Sequence, residues 1–118
     1  MSSRLAAVAI DARDTEKVAA FWCDVLGWHV VDQEEDGITI GPADGAWPRI
    51  DVFEVPEPKT TKNRLHLDLR AEDRSTADEL RRLESLGARR VDVGQSPDVS
   101  WVVLADPEGN EFCLLSGR

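Results

Sequence analysis

Tyrosine is absent from this chain, methionine occurs once and phenylalanine three times, so four tryptophans carry most of the aromatic surface. No apolar run approaches the ~20 residues that span a bilayer, which excludes a transmembrane helix. The opening Met1 to Ala7 has a weak basic flank, with no sustained apolar segment and no cleavage-site pattern, so no signal peptide is expected. Cysteine is scarce: Cys23 and Cys113 are too few for a disulfide framework, and without an export signal they read as free thiols in the cytoplasm. Basic residues are outnumbered, 14 Lys and Arg against 23 Asp and Glu, for a net charge of −9. Nucleic acid and anionic membrane are therefore excluded as partners.

What the chain does have is clean patterning. A length of 118 residues suits one domain with a modest core. Arg64-Leu65-His66-Leu67-Asp68-Leu69-Arg70 alternates fully, which predicts a β-strand with its leucines on the core and Arg64, His66, Asp68 and Arg70 on the other face. Upstream, Leu5 to Ala12 reads as a buried strand. Asp14 offers an N-cap and Gly27 a stop to a helix whose apolar stripe is Val18, Phe21, Trp22, Val25 and Leu26. Strands follow at Trp28 to Gln33, at Ile38 to Ile40 and at Arg49 to Val55, the first two joined by an Asp36-Gly37 turn of the kind that favours positive φ.

The pattern then repeats. After the strand at Arg64 to Arg70, Asp73 stands where Asp14 stood, and Ser75 with Asp78 can form a capping pair. Thr76, Leu80, Leu83 and Leu86 mark a second helix ended by Gly87. Strands are expected at Arg89 to Val93, Trp101 to Ala105 and Glu111 to Leu115, separated by Gly94-Gln95-Ser96-Pro97 and Pro107-Glu108-Gly109-Asn110. Strand, helix and three strands, twice over, give an α+β chain of two βαβββ modules. One helix covers one face of each sheet, so the expected architecture is a cupped eight-stranded mixed sheet around a shared cavity.

This arrangement resembles the vicinal oxygen chelate superfamily, the group of glyoxalase I, extradiol dioxygenases and the fosfomycin- and bleomycin-resistance proteins. The residues that carry the resemblance are Asp14, Phe21-Trp22, Leu26-Gly27, His66 seven positions before Asp73, and Asp106-Pro107-Glu108-Gly109-Asn110. Val55-Pro56-Glu57-Pro58-Lys59 and Lys62-Asn63-Arg64-Leu65-His66-Leu67-Asp68 are similar to the small glyoxalase-like domain proteins. The resemblance implies the glyoxalase/bleomycin resistance/dihydroxybiphenyl dioxygenase fold as a single domain over 1–118. Its modules would cover about 4–55 and about 63–117, and the protein would be a homodimer.

Metal-dependent members take one ligand from the first and last strand of each module. His66 falls on the second module's first-strand position, but the first-module counterpart is Ala7, which has no donor atom, and the last-strand position holds Cys113 rather than Glu. Asp51 is the nearest inward carboxylate of the first module, and Glu111 shares the face of Cys113. No metal or other cofactor is therefore expected, with a divalent ion (Zn, Ni, Mn or Fe) as the alternative.

His66 is the expected catalytic or central binding residue, since its ordinary pKa lies near neutrality. Asp51, Phe53, Arg64, Asp68, Trp47, Trp101 and Cys113 are the expected ligand-binding residues, the tryptophans as lining of an apolar pocket. Lys59 and Lys62 read as solvated charges, with an anion clamp as the other reading, and His29 as surface. The expected function is binding of a small organic molecule, apolar or cationic given the acidic balance, around His66 without the usual metal. The alternatives are a divalent-metal lyase, isomerase or dioxygenase of the glyoxalase type, and a metal-free lyase or isomerase with His66 as general base.

Overall fold

A computed structural model describes residues 1–92 and 101–116. Two compact units divide the chain, Met1–Pro58 and Lys59–Arg118, and each repeats the same order of elements. The first contains β1 (Ala7–Ala12), α1 (Thr15–Leu26), β2 (His29–Glu34), β3 (Gly37–Gly41) and β4 (Arg49–Glu54). The second contains β5 (Leu67–Leu69), α2 (Thr76–Ser85), β6 (Arg89–Arg90), β7 (Trp101–Ala105) and β8 (Glu111–Leu115). Hydrogen bonding sorts the strands into two mixed sheets of four, ordered β1-β4-β3-β2 and β5-β8-β7-β6. In each, the strand before the helix runs parallel to the last strand of its unit. The α+β class and the duplicated βαβββ plan expected from the sequence are both present.

In the first unit Asp14 caps α1 by accepting a hydrogen bond from the Lys17 amide, and Gly27 closes it in the left-handed conformation at φ 68°. That conformation costs little only for a residue without Cβ. Val18, Phe21, Trp22 and Val25 are buried along one stripe, Trp22 to 1% exposure. They meet Ile38, Ile40, Ile50 and Val52 from β3 and β4. Each such side chain contributes about 1.5–3 kcal/mol on burial.

Several expectations change here. Leu5 lies outside β1 and is exposed, and Ala9 and Asp11 are exposed too, so β1 is half-buried rather than buried. Gly37 lacks a positive φ, for the β2–β3 turn is made by Glu35-Asp36 and Gly37 already pairs with Glu34. Its need is for space: a Cβ there would come within 3.0 Å of the Phe53 ring and 3.1 Å of the Val52 carbonyl oxygen.

In the second unit the cap of α2 is Ser75, whose hydroxyl accepts from the Asp78 amide, so Asp73 does not take the place of Asp14. Leu83 is fully buried from α2, against a sheet that buries Phe112 and Leu114. Strand β5 is shorter than the alternation predicts. Its ladder begins only at Leu67, paired with Phe112. Just upstream, the Asn63 amide donates to a side chain, the Glu111 carboxylate, at 2.8 Å, instead of to a neighbouring strand. The approach is thereby held off the ladder, and Leu65, expected in the core, is 88% exposed. The predicted strand at Arg89 to Val93 is described as two residues; Val93, the Gly94-Gln95-Ser96-Pro97 turn and the last residue of module two lie outside the described residues.

Candidate functional site

The second unit gathers the chemically active side chains. Strand register sets Asp68 beside Cys113 across β5 and β8, and Cys113 beside Val103 across β8 and β7. His66, two residues before Asp68, sends its ring to the same place. Its Nδ1 lies 3.0 Å from an Asp68 carboxylate oxygen and 3.7 Å from Cys113 Sγ. The His66 and Asp68 side chains are 41% and 47% exposed, whereas Cys113 is buried. The result is a wet imidazole–carboxylate pair standing over a buried thiol.

The thiol is disfavoured from ionising. Burial first, then the charge of Asp68 and a hydrogen bond to it, push the Cys113 pKa up, and the Lys62 charge opposes them. A thiol so placed is a poor nucleophile on its own.

Beside this cluster a second set of charges is structural. Burial of Glu111 favours its neutral form, but the hydrogen bond and charge of Lys59 and the Asn63 amide outweigh it and hold the carboxyl below its usual range. Lys59 Nζ lies 2.8 Å from one Glu111 oxygen and the Asn63 amide 2.8 Å from the other. Both carboxylate oxygens are thus engaged in anchoring the chain's approach to β5. Lys59 is an internal ion-pair partner rather than an anion clamp, and Lys62 donates to the Asn63 carbonyl at 3.3 Å.

The neighbouring turn is equally determined. Asp106, fully buried, accepts from the amides of Glu108 and Asn110 and from the Asn110 side chain, at 2.9–3.0 Å. Gly109 supplies the φ of 95° that closes the loop. This is why the Asp-Pro-Glu-Gly-Asn sequence ahead of β8 takes that form: it holds the strand that presents Glu111 and Cys113.

Of the other expected residues, Trp101 pairs with Leu115 in register, on the Cys113 side of its sheet, and is exposed. Arg64 is exposed but lies in a bend outside β5. Three expected residues belong to the first unit. Asp51 accepts the Thr39 hydroxyl at 2.7 Å within its own sheet. Phe53 is exposed opposite Gly37. Trp47 makes cation–π contacts with two guanidinium groups, Arg49 at 4.1 Å and Arg4 at 5.0 Å from its ring centroid. His29 is at the surface, as expected. The pairing of Asp68 with His66 was visible in the i, i+2 spacing; the approach of Cys113 depends on a strand register that no local pattern encodes.

As donors, His66, Asp68 and Cys113 each offer one ligand atom, all within 4.8 Å of one another. The set of one nitrogen, one oxygen and one sulfur fits a borderline-soft ion such as zinc.

Two βαβββ units, each with one helix on one face of a mixed sheet, define a vicinal-oxygen-chelate type of fold, and solved structures bear this out over nearly the whole chain. A fosfomycin-resistance protein, FosX, from Listeria monocytogenes, complexed with Mn(II) and a dihydroxypropylphosphonic acid, superimposes with a TM-score of 0.76 at 16% identity, covering 100% of this chain and 93% of that one. A bleomycin resistance determinant encoded on transposon Tn5 gives 0.63 at 21% identity, over 98% and 99% of the two chains. TnmS3, an antibiotic binding protein from a Streptomyces species, gives 0.68 at 19% identity, over 99% and 98%. No curated protein matches at the sequence level. The sequence profile of the glyoxalase-like domain matches residues 7–115, and the chain belongs to that family.

Proposed function

We propose that this protein binds a small organic molecule on the sheet face that carries His66, Asp68 and Cys113, the two units acting together as one glyoxalase-like domain. The observation that supports it is the convergence of a half-exposed imidazole, a half-exposed carboxylate and a thiol on one face. Stability alone does not call for a His–Asp pair in water, since exposed pairs contribute little. Trp101 adds an exposed aromatic surface on the same side of the sheet. A net charge of −9 favours a neutral or cationic ligand over an anion. Solved relatives of the fold include antibiotic-binding and bleomycin-resistance proteins, and we take binding of a compound of that kind as the working role. Two free thiols suit a cytoplasmic address, and a homodimer is the assembly we expect.

An enzymatic reading is favoured by the same cluster. His66, with its ring held by Asp68, is placed to move a proton to or from a bound substrate in a lyase or isomerase step. A divalent ion held by His66, Asp68 and Cys113 would act there as a Lewis acid. In the proton-transfer case the role of Asp68 is to orient the imidazole; in the metal case its carboxylate would be one of the three donors.

Binding is tested by isothermal titration with bleomycin and by an NMR screen of small aromatic and cationic fragments. The reading expects fragments to gather at His66, and the affinity of those hits to fall at least tenfold in His66→Ala. Hits that leave the His66 ring resonances unmoved would refute it. A rate unchanged in His66→Gln, on any substrate so found, would remove the general-base reading.

A further inference from the structure

We infer that the first unit carries an oxyanion site of its own, where the guanidinium groups of Arg49 and Arg4 meet the ring of Trp47, and that it takes a small carboxylate or phosphate. The inference uses no residue of the His66 face and stands apart from the binding reading given for that face.

Two cations share one aromatic ring. The guanidinium carbons of Arg49 and Arg4 lie 4.1 and 5.0 Å from the Trp47 ring centroid. Attraction to the π-system favours each contact, while the two like charges oppose one another. No acid offsets them: among the described residues neither arginine makes an ion pair. Asp44, in the loop before Trp47, accepts from the Ala46 amide at 3.0 Å. Asp51, two positions along β4 from Arg49, accepts the Thr39 hydroxyl at 2.7 Å. In a chain of net charge −9, two unmatched cations gathered on one ring reverse the local sign, and such a patch concentrates anions.

Arg49 is also held in place without being satisfied. Its backbone amide donates to the Ala6 carbonyl at 3.1 Å. Its stem crosses the bare backbone of Gly41, where a Cβ would stand 3.1 Å from Arg49 Cγ. At the far end, Nη2 lies 4.0 Å from where a Cβ on Gly45 would be. Yet Nε is buried with no hydrogen-bond partner, the one such side-chain atom among the described residues. A buried N–H left unmatched costs stability that an apolar stem would not, so folding does not account for the guanidinium. Its planar fork of donors fits the paired oxygens of a carboxylate or phosphate. The Nη groups receive the anion, and Arg4, at an exposed position, supplies a second charge from the opposite end of the unit's sequence.

The test uses the full chain in chloride buffer at constant ionic strength, titrated with sodium benzoate in one arm and with inorganic phosphate in the other. Four tryptophans give four indole N–H signals, and Trp47→Phe identifies the one that matters. At least one anion should shift the Trp47 indole and Arg49 Nε–H signals to saturation, and the arm that saturates at lower concentration names the source. Arg49→Met should weaken that binding at least tenfold, with a melting temperature no lower than the wild type's because an unmatched donor is gone. Arg4→Gln should weaken it too, by less, and keeps the test standing if Arg49→Met folds poorly. Signals unmoved by both anions, or moved only as chloride moves them, would overturn the inference. So would saturation that survives both arginine variants. Arg49→Met melting below the wild type, in a protein that binds neither anion, would make the contact with Trp47 a structural brace.

Discussion

An oxygen of Asp68, in β5, sits 3.0 Å from Nδ1 of His66, two residues earlier in the chain and just ahead of that strand. The imidazole is thereby held by a carboxylate while its remaining edge is left to solvent, a common means of orienting a histidine that must act on something else.

That orientation predicts a functional rather than a structural phenotype. Both side chains are close to half exposed, so His66→Ala and Asp68→Asn should change stability by no more than about 0.5 kcal/mol. Fragment or antibiotic affinity should meanwhile fall at least tenfold, about 1.4 kcal/mol. Chemical denaturation and isothermal titration on the same samples separate the two effects. A large loss of stability in either variant would mean the pair is a structural brace.

The opposite phenotype is expected at Glu111. Lys59→Met or Glu111→Gln should cost about 1–3 kcal/mol, because each leaves a mostly buried polar partner unmatched. Acid dependence follows from the sign of the shift. The folded-state pKa lies below the unfolded one, so this stabilisation is fully present above the ordinary glutamate range and fades as pH falls through the lower, folded value. Denaturant midpoints measured from pH 7 down to pH 3 should therefore drop more steeply in the wild type than in Glu111→Gln. Parallel curves would contradict the assignment.

Asp106→Ala removes the acceptor for three hydrogen bonds in a fully buried turn. A loss of about 2–4 kcal/mol is expected, together with poorer presentation of β8. Hydrogen exchange should show faster amides at Glu108 and Asn110 and across β7 and β8. Retained protection there would argue that the turn is not what fixes the strand.

Cys113 should alkylate slowly. Its raised pKa keeps the thiol protonated at pH 7, so its iodoacetamide rate in metal-free protein should rise only above the ordinary thiol range of about 8.5. Asp68→Asn removes a charge that disfavours the thiolate and should move that rise to lower pH. Mass spectrometry distinguishes Cys113 from Cys23, whose pKa burial also raises.

Much of the fold was legible because local chemistry and global pattern agree. Asp14 and Gly27 bracket α1 as their cap chemistry requires, and the stripe from Val18 to Val25 is the buried one. Misreadings arose where a side chain took over a backbone role. Glu111 receives the Asn63 amide, so the alternation of Arg64 to Arg70 overstates β5 and wrongly buries Leu65. At α2 the expected Ser75–Asp78 capping pair is the one that forms, the Ser75 hydroxyl accepting from the Asp78 amide, and only the parallel of Asp73 with Asp14 fails. Gly37 is required by the ring of Phe53, a contact across two strands that turn statistics do not carry. For the site, His66 and Asp68 stood out on one alternating face. That Asp68 joins the histidine follows from their i, i+2 spacing, whereas the approach of Cys113 rests on the register of β5 on β8.

The central claim, that ligand is taken at the His66 face, is tested most directly by following the two histidine ring resonances during the fragment screen. His29→Ala assigns the His66 signals, since the chain has only two histidines. The expected result is that binding fragments shift the His66 ring together with the amides of Asp68, Trp101 and Cys113, and leave His29 unmoved. Fragments that bind while His66 stays still, gathering at Trp47 or elsewhere in the first unit, would contradict it.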